Sequence, residues 1–394
     1  MALNRPSHGW RTVVQRHRRT FLNYLDTERA RLSSLEVLAR DLTAFLQNLI
    51  RTGDDAIAFW EAVPRVISDC DNQETYELPL APAAYSWLYL LDRYARTWYA
   101  LEHLFNTACF PLARYGVNVL DIGTGPGPSV LAIGEFYKHL SAFGTVMQES
   151  AFEQPCRLTE VELSWLNNSF RGHFREFARR SFEGLTLISD LNSIDPREER
   201  RRLRERLLDE EVWGANEEAQ LIHRYRFVVI SNFITNPEKL ELFEVSLRRI
   251  LSDLQPGSVV LLIGGSGGHY PKLQEAFDRL VFESGLRLRV AGTKVRSRVA
   301  DTEVILTAAR TIADHVVRLH PMPRDVSISV QHALDGREPW GGRSSIRAYR
   351  RNARRDTGAR NAAHLRARER KAEIQVPNEE TGVEFNNVPK STNE

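Results

Sequence analysis

The passage Asn118-Val-Leu-Asp-Ile-Gly-Thr-Gly-Pro-Gly-Pro-Ser-Val-Leu-Ala-Ile133 constrains this chain more than any other. An apolar run ends in Asp121, and Gly123, Gly125 and Gly127 then fall on alternate positions. Pro128 and Ser129 follow, residues suited to the first turn of a helix. A strand, a tight turn and a helix in that order form the opening unit of an α/β sheet. Glycines are needed where the main chain turns sharply at a strand's carboxyl end and a ligand lies against it. The helix start offers N–H groups to an anion.

Two ligand classes are excluded by what the loop lacks. A phosphate-cradling P-loop requires Gly-Lys-Ser/Thr, and no lysine occurs from Val117 to Tyr137. The dinucleotide pattern G-x-G-x-x-G would need glycine at position 128, which is Pro128.

The rest of the chain supplies the partners of this unit. Residues 10–110 read as helical, with one stripe at Leu32, Leu35, Leu38, Leu42, Phe45 and Leu49. A second, aromatic stripe runs through Trp87, Leu91, Tyr94, Trp98 and Phe105, with an extended or looped crossing from Asp69 to Pro82 between them. From Val117 the texture changes to short apolar runs alternating with amphipathic stretches. Seven strands are expected: Val117–Ile122, Leu158–Leu163, Leu185–Ile188, Phe227–Ile230, Val259–Ile263, Leu286–Val290 and Val304–Ala308. The last two stand too close for an intervening helix and should pair antiparallel. The fold class is therefore α/β, a seven-stranded mostly parallel sheet preceded by an α-helical domain. Three segments are expected: helices over 1–110, a ligand-binding α/β domain over 111–320, and a C-terminal extension over 321–394. A charged helical stretch over 196–224 reads as an insertion.

Charge decides what partners to expect. The whole chain carries +2, but ten Arg and one Lys against Asp356 and Glu369 give 343–371 a net +9. The last segment, 372–394, carries −4, which leaves −3 for 1–342. The basic segment thus favours a nucleic-acid partner, since arginines neutralise phosphates and release counterions. No apolar run reaches the roughly 18 residues of a membrane span, so no membrane partner is expected. Three scattered cysteines give no CxxC pair, no disulfide framework and no metal site, which suits a reducing cytoplasm. Met1 to Arg19 is basic, as in transit peptides, but has one serine and runs on into a helix, so a cytoplasmic location is expected.

The run apolar–Asp–apolar–Gly-x-Gly-x-Gly, here Val119-Leu-Asp-Ile-Gly-Thr-Gly-Pro-Gly127, closely resembles motif I of the class I S-adenosylmethionine-dependent methyltransferases. The resemblance covers roughly 117–310. It implies a Rossmann-like fold, S-adenosyl-L-methionine as cofactor, and methyl transfer as the reaction. It further implies that Gly123, Thr124, Gly125 and Gly127 meet the methionine part, with Asp121 near its amino group. An acid at the end of the second strand would take the ribose diol. Glu162, in Thr-Glu-Val-Glu-Leu-Ser164, is preferred over Glu149, which has too little strand before it. Asp190, ending the third strand, matches the acid that meets adenine. Asn232 and Phe233 stand where the family's amine methyltransferases place Asn/Asp-Pro-Pro-Tyr/Phe, and the missing prolines speak against a planar exocyclic amine as acceptor. His269 and Tyr270 close a second glycine cluster, Gly264 to Gly268, after the fifth strand. Asn232, His269 and Tyr270 are therefore the candidates for contact with substrate.

The cofactor carries the activated methyl group, so the sequence says more about it than about the acceptor. The acceptor expected first is RNA or the ribosome, through 343–371; the helical segment also resembles methyltransferase-like proteins of small ribosomal subunits, without their metal-binding cysteines. A small-molecule acceptor is the alternative, and a non-catalytic assembly protein that keeps the fold is the third reading.

Overall fold

Among the described residues five α-helices precede the first strand, because apolar residues recur there at three- and four-residue spacing. The computed structural model describes residues 6–68, 72–113, 116–153, 155–182, 185–195, 198, 201, 225–265, 270–296, 298–334 and 343–351. Helix α1 (Pro6–Thr27) buries Val14, Phe21 and Leu25, and α2 (Ala30–Leu49) buries Leu35, Leu38, Leu42, Phe45 and Leu46. Helix α3 (Gly53–Ser68) is followed by a 3-10 turn over Gln73–Glu77 inside the expected crossing. The short α4 (Ala81–Tyr85) continues through a π turn, Ser86–Leu90, into α5 (Leu91–Asn106). The aromatic stripe is core: Tyr94, Trp98 and Phe105 are fully buried.

Strand β1 (Val117–Ile122), helix α6 (Pro128–Met147), β2 (Cys156–Val161), α7 (Trp165–Phe177) and β3 (Thr186–Ile188) then alternate as the sequence predicts. They are followed by β4 (Phe227–Ser231), α8 (Pro237–Asp253), β5 (Val259–Gly265), α9 (Tyr270–Glu283) and β6 (Leu286–Arg296). The seven strands among the described residues are ordered β3-β2-β1-β4-β5-β7-β6. Every described pairing is parallel except those of β7 with β5 and with β6. This is a Rossmann-like, mostly parallel sheet with an antiparallel last strand. Strand order reverses between β1 and β4, which opens a crevice at their carboxyl ends.

The seventh strand is not the predicted one. Val304–Ala308 lies inside helix α10 (Val299–Leu319), which buries Ile305, Ala308, Ala309, Ile312 and Val316 at helical spacing. Five residues, four of them apolar, are too short a window to separate the two periods. After α11 (Arg324–Leu334) the chain returns as β7, Arg343–Arg351, between β5 and β6. Its residues alternate, with Ile346 and Ala348 facing one core and Tyr349 the other. The first nine residues of the basic segment 343–371 are therefore a strand inside the sheet, not part of a tail. Arg347 donates to Asp278 Oδ2 at 2.6 Å, and Tyr349 to Asp278 Oδ1 at 2.8 Å. The remainder, 352–371, lies outside the described residues, as does most of the stretch 196–224.

The helices flanking the sequence's two ends share a core with one face of the sheet. Phe21 of α1 meets Phe105 of α5 and Phe136 of α6 at ring-centroid distances of 4.6 and 5.6 Å. Such pairs add about 0.5–1.5 kcal/mol each beyond area burial. Arg31 of α2 donates to Asp301 of α10 at 3.2 Å, and Asp301 also accepts from Tyr99 of α5. The other sheet face packs on α8 and α9 through Leu247, Ile250, Phe277 and Val281. The chain from Met1 to Ala353 forms one compact unit. Among the described residues, no helix is long and apolar enough to cross a membrane.

Candidate active site

At the end of β1 the main chain makes its turn through Gly123, Gly125 and Gly127, at φ of 70°, 55° and 94°. Side chains rarely adopt this left-handed conformation, which is the local reason for the glycines. Gly123 and Thr124 donate their N–H groups to the carbonyl of Val161, at 2.9 and 3.1 Å, so the loop is sewn to the end of β2. A Cβ on Gly125 would meet nothing within 4 Å, whereas one on Gly123 would run into the ring of Phe233. Gly125 thus faces open space at the crevice, and Phe233 walls its β4 side.

Glu162 follows β2 directly and reaches back across the crevice. Its Oε2 accepts from Gly125 N at 2.6 Å, and its Oε1 from Ser164 N at 2.9 Å. Glu149 stands instead just past the far end of α6, accepting from Ala151 N at 3.4 Å. Twenty helical residues separate that end from the loop, about 30 Å at 1.5 Å per residue. The structure therefore brings Glu162 to the loop and not Glu149.

Asp121 is 2% exposed, and its Oδ2 has no hydrogen-bond donor. Burial foremost, then the neighbouring charge of Glu160, pushes its carboxyl up to about 7; Thr124 and Arg171 oppose the shift. Glu160, opposite Asp121 in the β1–β2 register, is fully buried and paired. It accepts from Arg171 Nε at 2.9 Å and Arg175 Nη1 at 3.0 Å, both on α7. Sequence reasoning missed Glu160, Arg171 and Arg175. Their signal was present: an acid inside a buried strand needs a cation, and two arginines four apart share a helix face.

The other candidates are more scattered. Thr124 is buried, its hydroxyl donating to the carbonyl of Asp121 at 3.1 Å. Asp190 is exposed and caps the 3-10 turn Leu191–Ser193 by accepting from Asn192 N at 2.9 Å. Asn232 is half-buried at φ 54°, its N–H held by Ile263 O at 2.9 Å and its Nδ2 donating to Ser231 Oγ at 3.2 Å. Tyr270 lays its ring against Gly264 and Gly265 at the end of β5. His269 lies outside the described residues. Among the described residues, no three His, Cys, Asp or Glu side chains gather as a metal site.

The crevice fits an S-adenosyl ligand at two poles. An unpartnered buried carboxylate oxygen at Asp121 suits an ammonium, and a carboxylate at Glu162 suits hydroxyls, since it accepts but cannot donate. Gly125, whose N–H is held by Glu162, leaves open the space a side chain would fill.

No protein-family model and no curated protein matches the chain. Among solved structures it is similar to coclaurine N-methyltransferase bound to N-methylheliamine and S-adenosylhomocysteine. That likeness has 12% identity over 81% of this chain and 98% of the other, at TM-score 0.38. It is also similar to the precorrin-6y C5,15-methyltransferase of Geobacter metallireducens, with 12% identity, coverage of 66% and 87%, and TM-score 0.32. The [4+2]-cyclase SpnF matches at 15% identity, 60% and 76% coverage, and TM-score 0.32. Likenesses this distant decide nothing about the reaction, and the fold class stands on the strand order itself.

Proposed function

We propose that this chain is an enzyme, an S-adenosyl-L-methionine-dependent methyltransferase whose cofactor lies across the carboxyl ends of β1 and β2. The observation that carries this reading is the open face of Gly125, whose N–H is held by the Glu162 carboxylate, on the loop that follows the unpartnered carboxylate oxygen of Asp121. Asp121 would hold the ammonium of the methionine part, and Glu162 the ribose diol. Asp190, at the next strand end, is proposed for the adenine side. The bound cofactor supplies a methyl group on a cationic sulfonium. The chain's own residues bind it, orient the acceptor and keep water out; proximity of this kind is the main catalytic lever in such a transfer.

Phe233 and Tyr270, beside β4 and β5, would wall the acceptor side, with the Asn232 carboxamide as its polar group. That enclosure favours a small-molecule acceptor. RNA or the ribosome is the second reading, favoured by the net +5 that remains over 354–371 once β7 is set aside. Calorimetry with S-adenosylhomocysteine tests the core of the proposal. Saturable 1:1 binding by the full-length protein is expected, and a folded protein giving no heat with it or with S-adenosylmethionine overturns the reading.

A further inference from the structure

Gly125 is gripped on both sides by the second βα unit. Its N–H donates to Glu162 Oε2 at 2.6 Å, and its carbonyl accepts from Arg171 Nη1. Arg171, 1% exposed, is itself fixed at two further points. Its Nε donates to Glu160 Oε2 at 2.9 Å and its Nη2 to Asn168 Oδ1 at 2.5 Å. A Cβ on Gly127 would stand 2.8 Å from Cδ of Arg171, so the loop wraps the arginine's stem. Only the direction into the crevice is left open at Gly125.

A buried ion pair is weak support for stability, because desolvation offsets most of its attraction. An apolar pair would hold α7 to β2 as well. What the arginine adds is geometry: a planar fork can give one edge to a carboxylate and another to a carbonyl, and an ammonium cannot. The fork here aims at the one loop residue whose free side faces the proposed ligand.

We propose that Arg171 is a positioning residue, which Glu160 and Asn168 hold so that it fixes the Gly125 peptide and presents the loop to the amino-acid end of the S-adenosyl ligand. The inference rests on the reading of the crevice given above. Arg171 acts through Gly125 and touches no ligand itself. Its removal should therefore fall on the part of the ligand nearest the loop and Asp121, and spare the part held by Glu162.

Arg171→Lys is tested by calorimetry with S-adenosylhomocysteine and with 5′-methylthioadenosine, which lacks the amino-acid end. The affinity for S-adenosylhomocysteine should fall at least tenfold, and that for 5′-methylthioadenosine should change by less than about twofold. Unchanged affinity for both, or an equal loss of both, overturns the proposal, since a generally loosened crevice weakens both. Asn168→Ala keeps the ion pair but removes both the acceptor that orients Nη2 and the Nδ2 donor to Glu162 O at 3.1 Å, so it is read against Asn168→Asp, which loses only the donor. Asn168→Ala should show the same selectivity at smaller size, which covers the case where Arg171→Lys does not fold. A ligand-free readout separates this inference from the reading beneath it. Amide hydrogen exchange over Gly123–Gly127 should quicken at least tenfold in Arg171→Lys and in Asn168→Ala, with interior peptides of α6 unchanged. Exchange equal to wild type overturns the clamp whether or not any ligand binds, whereas wild type binding neither ligand overturns only the proposed function.

Discussion

Asp121 and Glu162 stand on neighbouring strand ends and do opposite work because their surroundings differ. Glu162 has backbone donors from Gly125 and Ser164, while one oxygen of Asp121 has none. The folded-state pKa of Asp121, about 7, lies above its ordinary value of 3.8, so the native protein holds that proton over a range where the unfolded chain has released it. Stability associated with this group is therefore full below about pH 4 and is lost as pH rises toward and past 7. A shift of this size corresponds to something on the order of 4 kcal/mol at pH 8. Asp121→Asn should accordingly be more stable than wild type in urea at pH 8, with the advantage shrinking at pH 5; an equal or larger advantage at pH 5 would contradict the assignment. A cationic ligand favours the ionised carboxylate, so wild-type affinity for S-adenosylmethionine should rise through pH 7 and that of Asp121→Asn should not. Glu162→Ala should cost about 1–3 kcal/mol of S-adenosylhomocysteine binding, the usual loss for a charged hydrogen-bond partner. Glu149→Ala, a helix length away, should cost nothing measurable by the same titration.

Elements were legible wherever the apolar pattern ran long enough to fix its period. The glycine turn falls where the sequence places it and the first six strands overlap their expected ranges, because each couples a period to a punctuating residue such as Asp121. Strand β2 ends two residues early, at Val161, and β6 runs on to Arg296. Of the stripes of α2 and α5, only Leu49, at the end of α2, is exposed. The seventh strand was misplaced for a physical reason. Val304-Ile-Leu-Thr-Ala308 satisfies a strand over five residues, and only the continuation through Ile312 and Val316 reveals a helix face. The true strand, Arg-Ser-Ser-Ile-Arg-Ala-Tyr-Arg-Arg351, hides its alternation under five polar or charged residues on its flanks. Its arginines read as solvated charge, yet Arg347 binds Asp278 and Arg351 donates to Leu251 O at 3.2 Å. The ionic cluster behind the loop was invisible for a different reason, since nothing in Glu160 or Arg171 alone says that they meet between a strand and the helix after it. The helical assignment has a simple test. Ala308 and Ala309 are adjacent and both buried, which a half-buried strand forbids, and Thr307 is exposed. Ala308→Lys and Ala309→Lys should each lower Tm by several degrees or prevent folding, and Thr307→Lys should leave Tm within about a degree. Tolerance at either alanine would argue against the helix.

At the scale of the whole molecule, the position of β7 changes what the basic segment can be asked to do. A chain ending at residue 342 loses a strand hydrogen-bonded on both sides, between β5 and β6, together with Ile346, Ala348 and Tyr349 from two cores. It should be insoluble or unfolded, and its failure to bind RNA would mean nothing. A chain ending at Ala353 keeps the compact unit intact. It should fold, melt cooperatively and bind S-adenosylhomocysteine as the full chain does. What it removes is the net +5 of 354–371 along with the −4 of 372–394. If RNA is the acceptor, the full chain should show a steeper fall of log K with log salt than 1–353, by about 0.7–0.9 for every phosphate that 354–371 neutralises. Salt dependence alone would not decide, because an acidic protein partner would give the same trend. The deciding measurement is transfer of labelled methyl from S-adenosylmethionine into fractionated cell extract, full chain against 1–353. Label in small molecules, equal for the two chains, is the expected outcome for an acceptor enclosed by Phe233 and Tyr270. Label in RNA that disappears on truncation would overturn that expectation and assign the basic segment its partner.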